Sequence, residues 1–269
     1  TEVQDFQQLV WDYYSVHGRH DLPWRQPETT GDFDPYKIMV SEIMLQQTQV
    51  PRVITKYQEF LQLFPNLNVL AAAEQGEVIR AWAGLGYNRR AKFLHQAAKT
   101  IQNECEGVFP RTIEKLVTLP GIGKNTAGAI VAYAFNDPVE FIETNIRTVY
   151  IHHFFDEQES IEDIKILNML SNTLDMENPR EWYWALMDYG SFLKKSGVRR
   201  NHQSKHYSKQ SAFEGSKRQV RGQVLRALTA APQSQKKKKK HIDDNRLQAV
   251  VNDLITEGLI TKKGSKLSL

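Results

Sequence analysis

Apolar residues along most of this chain recur with the period of a helix. From Phe6 to about Leu193 the spacing fits helices almost throughout, and few runs alternate as strands do. Asp34 and Pro35 form a good N-cap and first residue for one such helix, which we expect to end at about Gln47. The pattern predicts an all-α fold, with residues 1–200 as a core of two helical lobes.

A second, smaller pattern follows this core. Residues 196–214 are polar and show no apolar period, which indicates a linker, and we place it at 201–214. Two later segments each carry apolar residues on one helix face, and the final residues alternate around Lys263 and Gly264 as in a hairpin. The apolar positions are Val220, Val224 and Leu228, then Leu247, Val250, Val251 and Leu254. We predict a small winged-helix-like domain at 215–269, with an unrelated helical cap as the alternative.

Charge is distributed unevenly between these two parts. The formal net charge is +4, but residues 1–200 contain 20 Lys and Arg against 26 Asp and Glu, whereas residues 201–269 contain 15 against 5. Part of the excess is the run Lys236–Lys240, in a low-complexity stretch from Pro232 that we expect to be a mobile loop. This asymmetry indicates a basic appendage with a polyanionic partner, most simply nucleic acid. A solvated charged tail is the alternative.

Composition excludes several classes of protein. Hydrophobic residues make up 41% and charged residues 25%, which are ordinary globular values. The longest apolar stretch, Thr126–Phe135, is too short to cross a bilayer, and no signal-peptide pattern opens the sequence, so we expect a cytoplasmic protein without a membrane partner, and a monomer. Cys105 is the single cysteine, which excludes a disulfide framework and any cysteine-based zinc or iron–sulfur site.

The turn Leu119–Gly123 lies between two helical segments and has the composition of an anion site. Glycines such as Gly121 and Gly123 let the backbone approach a phosphate closely, and the N–H groups at the start of the next helix attract negative charge. Alone, such a turn is more often a plain turn. Followed by Lys124, Asn125 and Thr126 in KNTAGAI, it matches the helix-hairpin-helix signature of DNA backbone binding.

Two glutamates have surroundings that suit opposite chemical roles. Glu42 shares a helix face with Ile38 and Leu45, and apolar surroundings raise the pKa of a carboxyl group and favour a proton donor near neutral pH. Glu143 precedes Thr144 at the start of a helix, where the dipole favours the ionised form. An acid and an anion in one site suit cleavage of a glycosidic bond, because the acid protonates the leaving group and the anion stabilises the sugar cation. Taken singly, either glutamate is more often a surface residue.

Four segments appear in order along the chain: LPWR (Leu22–Arg25), PYKIMVSEIMLQQTQV (Pro35–Val50), WAGLGYNRRAKFLHQAA (Trp82–Ala98) and LPGIGKNTAGAI (Leu119–Ile130). Together they resemble MutY-type adenine DNA glycosylases of the helix-hairpin-helix superfamily, over about Phe6 to Gly190. The resemblance implies a two-lobed helical fold that binds double-stranded DNA across its cleft and flips one base into it.

The resemblance also implies roles for single residues. Glu42 falls on the family's catalytic Glu, Glu143 on its catalytic Asp and Asn145 on the Asn that follows. Glu143 departs from the family, because its side chain is one methylene longer than Asp. Gln47 and Tyr87 match residues that insert into the base stack, although Tyr87 could instead be a core tyrosine under its turn. Residues that match the lining of the adenine pocket are Trp24, Arg25 and Leu45.

Four further departures modify this picture. Lys194 stands where related enzymes place the first of four cluster-binding cysteines, so we expect no iron–sulfur cluster, no metal and no other cofactor. Asn125 stands where bifunctional relatives carry a Schiff-base lysine, with Lys124 about 100° round the helix. Trp184 replaces a Glu or Gln that reads the base edge, and tryptophan accepts no hydrogen bond. Residues 215–269 show nothing like the β-rich domain that inspects 8-oxoguanine in many relatives.

These observations lead to one hypothesis and three alternatives. The hypothesis is a monofunctional base excision repair glycosylase that hydrolyses the N-glycosidic bond of a mispaired adenine opposite G or 8-oxoguanine, with Trp184 stacking on the flipped base. A mismatch thymine or uracil glycosylase shares most of the motifs. A non-catalytic DNA-binding protein on the same fold has little use for a half-buried Glu42. A transcriptional regulator led by residues 215–269 predicts tight, sequence-specific DNA binding by that fragment alone.

Overall fold

Helices form most of the structure, which confirms the fold class predicted from the apolar period. The computed structural model describes residues 2–156, 158, 160–198, 200–205, 207, 213–230, 233–234 and 245–269. They divide into two units: unit 1 comprises residues 1–42, 111–118 and 122–209, and unit 2 comprises 43–110, 119–121 and 210–269. Among the described residues no helix is both long enough and apolar enough to span a membrane.

Unit 1 is built from helices that begin at residues suited to that position. Its elements are α1 (Val3–His17), a 3-10 turn (Pro23–Arg25), α2 (Pro35–Leu45, whose last three residues belong to unit 2), α7 (Ile113–Leu116), α8 (Lys124–Phe135), α9 (Thr144–Phe154), α10 (Asp163–Thr173), α11 (Pro179–Lys195) and a 3-10 turn (Asn201–Gln203). Asp34 accepts a hydrogen bond from the backbone N–H of Tyr36 at 2.9 Å, which caps α2 where the sequence predicts. The helix ends at Leu45, two residues before the predicted end.

The centre of unit 1 lies where α9 packs on α11. Gly190 of α11 meets the backbone of Asn145 so closely that a Cβ there would lie 2.3 Å from the Asn145 carbonyl oxygen, so only glycine fits. The ring of Phe6 from α1 lies edge-on to Trp182 of α11, at 6.0 Å between centroids, and close to Tyr150 of α9, at 5.5 Å. This packing fixes the start of α9, where Glu143 and Asn145 lie.

Unit 2 combines the middle of the chain with its C-terminal segment. Its elements are α3 (Val50–Leu63), α4 (Leu67–Ala72), α5 (Gln75–Ala81), α6 (Arg89–Glu104), α12 (Lys217–Ala230), β1 (Gln233–Ser234), α13 (Leu247–Thr256), β2 (Thr261–Lys263) and β3 (Lys266–Ser268). Trp82 and Phe60 are fully buried in its core, with their rings edge-to-face at 6.0 Å. Thus the described residues from 213 onward belong to the same unit as 43–110.

The C-terminal elements follow the predicted pattern. Every apolar position predicted for the two helix faces is buried, with exposed fractions of 0–4%. Gly258 ends α13 with φ +64°, and β2 and β3 form the antiparallel hairpin, in which Lys262 pairs with Leu267. β1 pairs with β3 on the other side, which gives the strand order β1-β3-β2. The winged-helix-like domain at 215–269 stays a prediction.

Two segments differ from the sequence-based expectation. The predicted linker begins at 201, but Gln203 accepts a backbone hydrogen bond from Ile161 at 2.7 Å, and Lys205 donates one to Ile161 at 3.0 Å. Backbone pairing of this kind leaves no apolar period, so the sequence shows only polarity. The predicted mobile loop from Pro232 contains β1, while its lysine run Lys236–Lys240 lies outside the described residues.

Candidate active site

Glu42 is a half-buried carboxyl group on the last full turn of α2. Ile38, one turn earlier, is 3% exposed. Burial raises the pKa of Glu42 to about 8, the negative charge of Glu143 adds to this shift, and the positive charge of Arg25 opposes it. At neutral pH most of the Glu42 side chains therefore carry a proton that they can donate.

Glu143 occupies the N-cap position of α9. Its Oε2 accepts a hydrogen bond from the backbone N–H of Asn145 at 2.7 Å. This bond and the helix dipole both stabilise negative charge on the carboxylate. The structure therefore gives two nearby glutamates different surroundings, as the sequence predicts, with Glu42 desolvated and Glu143 capped.

Asn145 places a buried acceptor beside Glu143. Its Oδ1 is buried and has no hydrogen-bond partner among the described residues. An unpaired buried amide oxygen costs about 1–3 kcal/mol, so its retention here suits a polar ligand or water. The orienting role of Asn145 stays a prediction.

Arg25 lies in a buried ion pair that sequence reasoning missed. It is 7% exposed, and its guanidinium donates two hydrogen bonds to the carboxylate of Asp188 in α11, at 2.8 and 2.9 Å. Arg19 donates to the same carboxylate through its Nε at 2.7 Å. Burial alone raises the pKa of Asp188, but hydrogen bonds from Arg25 and the charges of both arginines outweigh it and hold the pKa below its ordinary value. Asp188 thus fixes Arg25 in place.

Trp184 belongs to a cluster of aromatic rings in unit 1. Its indole is 6% exposed and stacks on Tyr133 of α8, with centroids 5.8 Å apart. Phe33 lies 5.6 Å from it, and the guanidinium of Arg25 lies 5.3 Å from its ring centroid. Trp24, in the first 3-10 turn, is also 6% exposed. Trp184 therefore forms part of a packed wall rather than a free stacking surface.

Tyr133 is a second residue that sequence reasoning missed. It is 4% exposed, and burial, with a contribution from the negative charge of Glu42, holds the pKa of its hydroxyl well above the ordinary value. The phenol stays neutral at all physiological pH values. The signal available in the sequence was only its place among small and apolar residues of α8, which is equally typical of a core tyrosine.

In unit 2, one arginine holds the two residues predicted to insert into DNA. Gln47 and Tyr87 both adopt left-handed backbone conformations, with φ of +54° and +47°, which non-glycine residues rarely do. The buried Arg90 of α6 donates hydrogen bonds to the carbonyl oxygens of Met44 (2.9 Å) and Gly86 (3.0 Å), and so links the end of α2 to the turn that carries Tyr87. Leu45 is half-buried in the same unit.

The glycines of the hairpin turn have different local environments. Gly121 has φ +77°, and a Cβ there would lie 2.6 Å from the Cβ of Phe93, so the fold itself requires glycine. An added Cβ at Gly123 would meet nothing within 4 Å, so packing within the described chain does not explain this glycine. Gly123 precedes α8 and has no side chain that could cap it, which leaves the first N–H groups of α8 for an anion.

The first residues of α8 face solvent. Lys124 and Asn125 are exposed and Thr126 is half-buried. Asn125 accepts a hydrogen bond from the backbone N–H of Ile142 at 3.4 Å, which ties the start of α8 to the segment leading to Glu143. The amide of Asn125 is not a nucleophile, and the absence of lyase activity that the sequence indicates from it stays a prediction.

Comparison with known proteins identifies the family. Residues 40–171 match the HhH-GPD superfamily of base excision DNA repair proteins. The adenine DNA glycosylase of Mycobacterium tuberculosis is 34% identical over 248 residues, which cover 85% of this chain and 79% of that protein. The chain belongs to the HhH-GPD superfamily. This confirms the resemblance to adenine DNA glycosylases that the sequence motifs show.

Several relatives are much longer than the part that this chain matches, and a solved structure shows the same fold. The adenine DNA glycosylase of Buchnera aphidicola subsp. Baizongia pistaciae is 35% identical over 192 residues, covering 70% of this chain and 52% of that protein. The chain thus spans about half the length of several curated relatives that it matches. The structure of a thermostable thymine-DNA glycosylase has a TM-score of 0.61 at 20% identity, covering 76% of this chain and 96% of that chain, and shows the fold.

An iron–sulfur cluster does not fit the residues of this HhH-GPD chain. Such a cluster needs four thiolates, and Cys105 at the end of α6 is the one cysteine in the sequence. Lys194, at the predicted position of the first cluster ligand, is in the last turn of α11. Among the described residues no group of three His, Cys, Asp or Glu side chains is arranged to hold another metal ion.

Proposed function

We propose that this HhH-GPD protein is a monofunctional DNA glycosylase that removes a flipped, mispaired adenine opposite G or 8-oxoguanine in double-stranded DNA. The observation that carries the proposal is the pair of glutamates in unit 1, one protonated at neutral pH and the other held at a helix N-terminus. Curated relatives named adenine DNA glycosylase support adenine as the base.

The two glutamates divide the reaction between them. Glu42 donates its proton to a ring nitrogen of adenine while the C1′–N bond breaks and its electron pair leaves with the base. The carboxylate of Glu143 stabilises the positive charge that develops on the sugar. Water then attacks C1′, and its proton returns to the Glu42 carboxylate, which restores the acid. Loss of general acid catalysis at Glu42 alone costs about 10²–10⁴ in rate.

The remaining predicted residues bind and select the substrate. In this proposal Trp24, Arg25 and Trp184 of unit 1 bind the base, and Leu45 has only the base-pocket role that the resemblance implies. Gln47 and Tyr87 fill the gap that the flipped base leaves in the stack. Gly121, Gly123 and the first residues of α8 bind the DNA backbone without reading its sequence. Asn125 in place of a Schiff-base lysine makes the enzyme monofunctional, and the reaction needs no cofactor.

Trp184 favours a second candidate, a mismatch thymine or uracil glycosylase. Its indole has no hydrogen-bond acceptor with which to read the edge of adenine. Arg25 is engaged with Asp188, and Trp184 is packed against Tyr133, so the described side chains give adenine few polar partners. The fold and the two glutamates serve both reactions equally.

A panel of duplexes separates these candidates. Each duplex carries one mispair (A opposite G, A opposite 8-oxoguanine, T opposite G or U opposite G), and released base is measured as strand cleavage after alkali. We expect release of adenine and none of thymine or uracil, and we expect Glu42→Gln to bind tightly while releasing adenine at least about a hundredfold more slowly. Release of thymine or uracil with adenine untouched establishes the second candidate. Binding without release from any duplex, by the wild type, leaves a non-catalytic DNA-binding protein.

A further inference from the structure

The start of α12 lies against Tyr87, the residue proposed to enter the base stack. Nη1 of Arg218 donates a hydrogen bond to the Tyr87 hydroxyl, and its guanidinium carbon lies 5.6 Å from the centroid of the tyrosine ring. The same guanidinium lies 6.0 Å from the ring of Phe213. Tyr87 keeps 38% of its surface exposed beside this contact. One surface of unit 2 therefore presents an aromatic ring and a cation together.

The position of Arg218 follows from how the C-terminal helices dock on α5 and α6. Glu257, just after α13, accepts two hydrogen bonds from Arg221 of α12, at 2.9 and 2.5 Å, and its backbone carbonyl accepts another from Lys92 of α6. Gln75 of α5 donates to the carbonyl of Gly258 at 2.7 Å. These bonds fix the position of α12 at Arg221. Arg218 lies about one helical turn before Arg221, and from there it reaches Tyr87.

The cations around Tyr87 suit a phosphodiester backbone. Arg89 at the start of α6 has a side chain that is 59% exposed, and Lys217 next to Arg218 is exposed as well. A ring that enters the base stack brings its neighbours within reach of the adjoining phosphates. A guanidinium has five N–H donors and binds phosphate oxygens in pairs, which suits Arg218 to a phosphate beside the ring.

Resting on the proposed glycosylase function, we propose that Arg218 binds the backbone phosphate next to the nucleotide that Tyr87 displaces. The C-terminal segment 213–269 then belongs to the DNA surface at the lesion itself and is more than a non-specific tether. If segment 213–269 bound the duplex only at a distance from the lesion, Arg218 would contact no phosphate there. The opposite arrangement, in which Arg218 covers Tyr87 and must leave before DNA binds, predicts effects of opposite sign.

Binding of the full-length chain to a duplex with a tetrahydrofuran abasic analogue opposite G tests this proposal, because that site cannot be cleaved. We expect Arg218→Ala to raise the dissociation constant about tenfold. The plot of log binding constant against log salt concentration should become less steep by about 0.9, the effect of one lost phosphate contact. Arg218→Lys should restore the slope. The matched control is Arg226→Ala, which removes an exposed arginine two turns further along α12 and should leave the preference for the abasic duplex over an intact one unchanged.

A second readout follows the insertion of Tyr87 directly. With 2-aminopurine beside the abasic analogue, wild type should raise its fluorescence as the stack opens, and Arg218→Ala should reduce that amplitude at saturating protein. Unchanged affinity, slope and amplitude in Arg218→Ala would overturn the proposal, and tighter binding would establish the covering arrangement. Base release from the mispaired duplexes is measured on the same wild-type sample. If no base is released, the glycosylase function fails while the phosphate contact is still judged by the binding data.

Discussion

Raising the pH through about 8 should switch off base release, because Glu42 must carry a proton to act as the acid. With a pKa of about 8, roughly 90% of Glu42 is protonated at pH 7 and roughly 10% at pH 9, so the rate should fall about tenfold between those values. The rate at protein concentrations too low to saturate the DNA reports the pKa of Glu42 in the free protein. The rate at saturating protein reports its pKa in the complex, where DNA phosphates raise it further.

Single-turnover release of adenine, followed from pH 5 to pH 9.5, gives the profile. Glu42→Gln should release adenine at least about a hundredfold more slowly than wild type, and its rate should show no break near pH 8. Glu143→Gln is the matched variant: it removes the negative charge that raises the pKa of Glu42, so its break should move to lower pH. A wild-type rate that rises with pH through the ordinary carboxyl range and stays level to pH 9.5 would show that Glu42 acts only as a base, and would refute this reasoning.

The same pKa shift predicts how stability depends on pH. Between the ordinary glutamate value of 4.5 and about 8, the folded protein holds a proton on Glu42 that the unfolded chain has released. The free energy of unfolding contributed by Glu42 is therefore highest at low pH and decreases as pH rises through this window. Glu42→Gln should remove that dependence, so its melting temperature relative to wild type should rise from pH 5 to pH 8.

Four further outcomes are expected. Borohydride in the presence of cleavable duplex should trap no covalent adduct, since Asn125 replaces the Schiff-base lysine; an adduct lost in a lysine variant would contradict this. Trp184→Ala should lower the free energy of unfolding by about 3–5 kcal/mol in denaturant titrations and slow release from all substrates. Deletion of 215–269 should weaken DNA binding and flatten its salt dependence, measured by titration at several salt concentrations. Arg90→Gln should lower the 2-aminopurine signal as well as stability, because the turns that carry Gln47 and Tyr87 lose their common hydrogen-bond donor; a loss of stability with a full signal would exclude a positioning role.

Features that depend on neighbouring residues in the sequence were predicted well. Asp34 and Pro35 start α2, and the helical segment predicted after the turn Leu119–Gly123 is helix α8. The two apolar faces of α12 and α13 are buried, and the hairpin turns at Gly264. Each depends on the backbone preference of a few residues or on a short apolar period, and both can be read from the sequence locally.

Contacts between distant residues could not be predicted in this way. Arg25 and Asp188 are 163 positions apart, and Arg218 and Tyr87 are 131 apart. A period shows which face of a helix is buried but not which other face it meets, so Asp188 is indistinguishable in the sequence from a surface aspartate of α11. Glu42 was found because its own helix supplies the apolar surroundings, whereas the charge of Glu143 reaches it only through the fold.

Trp184 shows why a single matched position does not transfer a role. The resemblance assigns it the task of reading the base, and its own chemistry suggests stacking, but the structure packs its indole against Tyr133, Phe33 and Arg25. Arg25 in turn is held by Asp188. Replacing Trp184 with Gln would therefore leave a cavity and remove the ring beside Arg25 as well as supply an acceptor, so we expect base preference to depend on the cluster as a whole. A wall of this kind selects by shape, which separates close substrates by about 1–3 kcal/mol, so we expect adenine to be preferred. We expect a relaxed choice of the opposite base because residues 215–269 show nothing like the β-rich domain that inspects 8-oxoguanine.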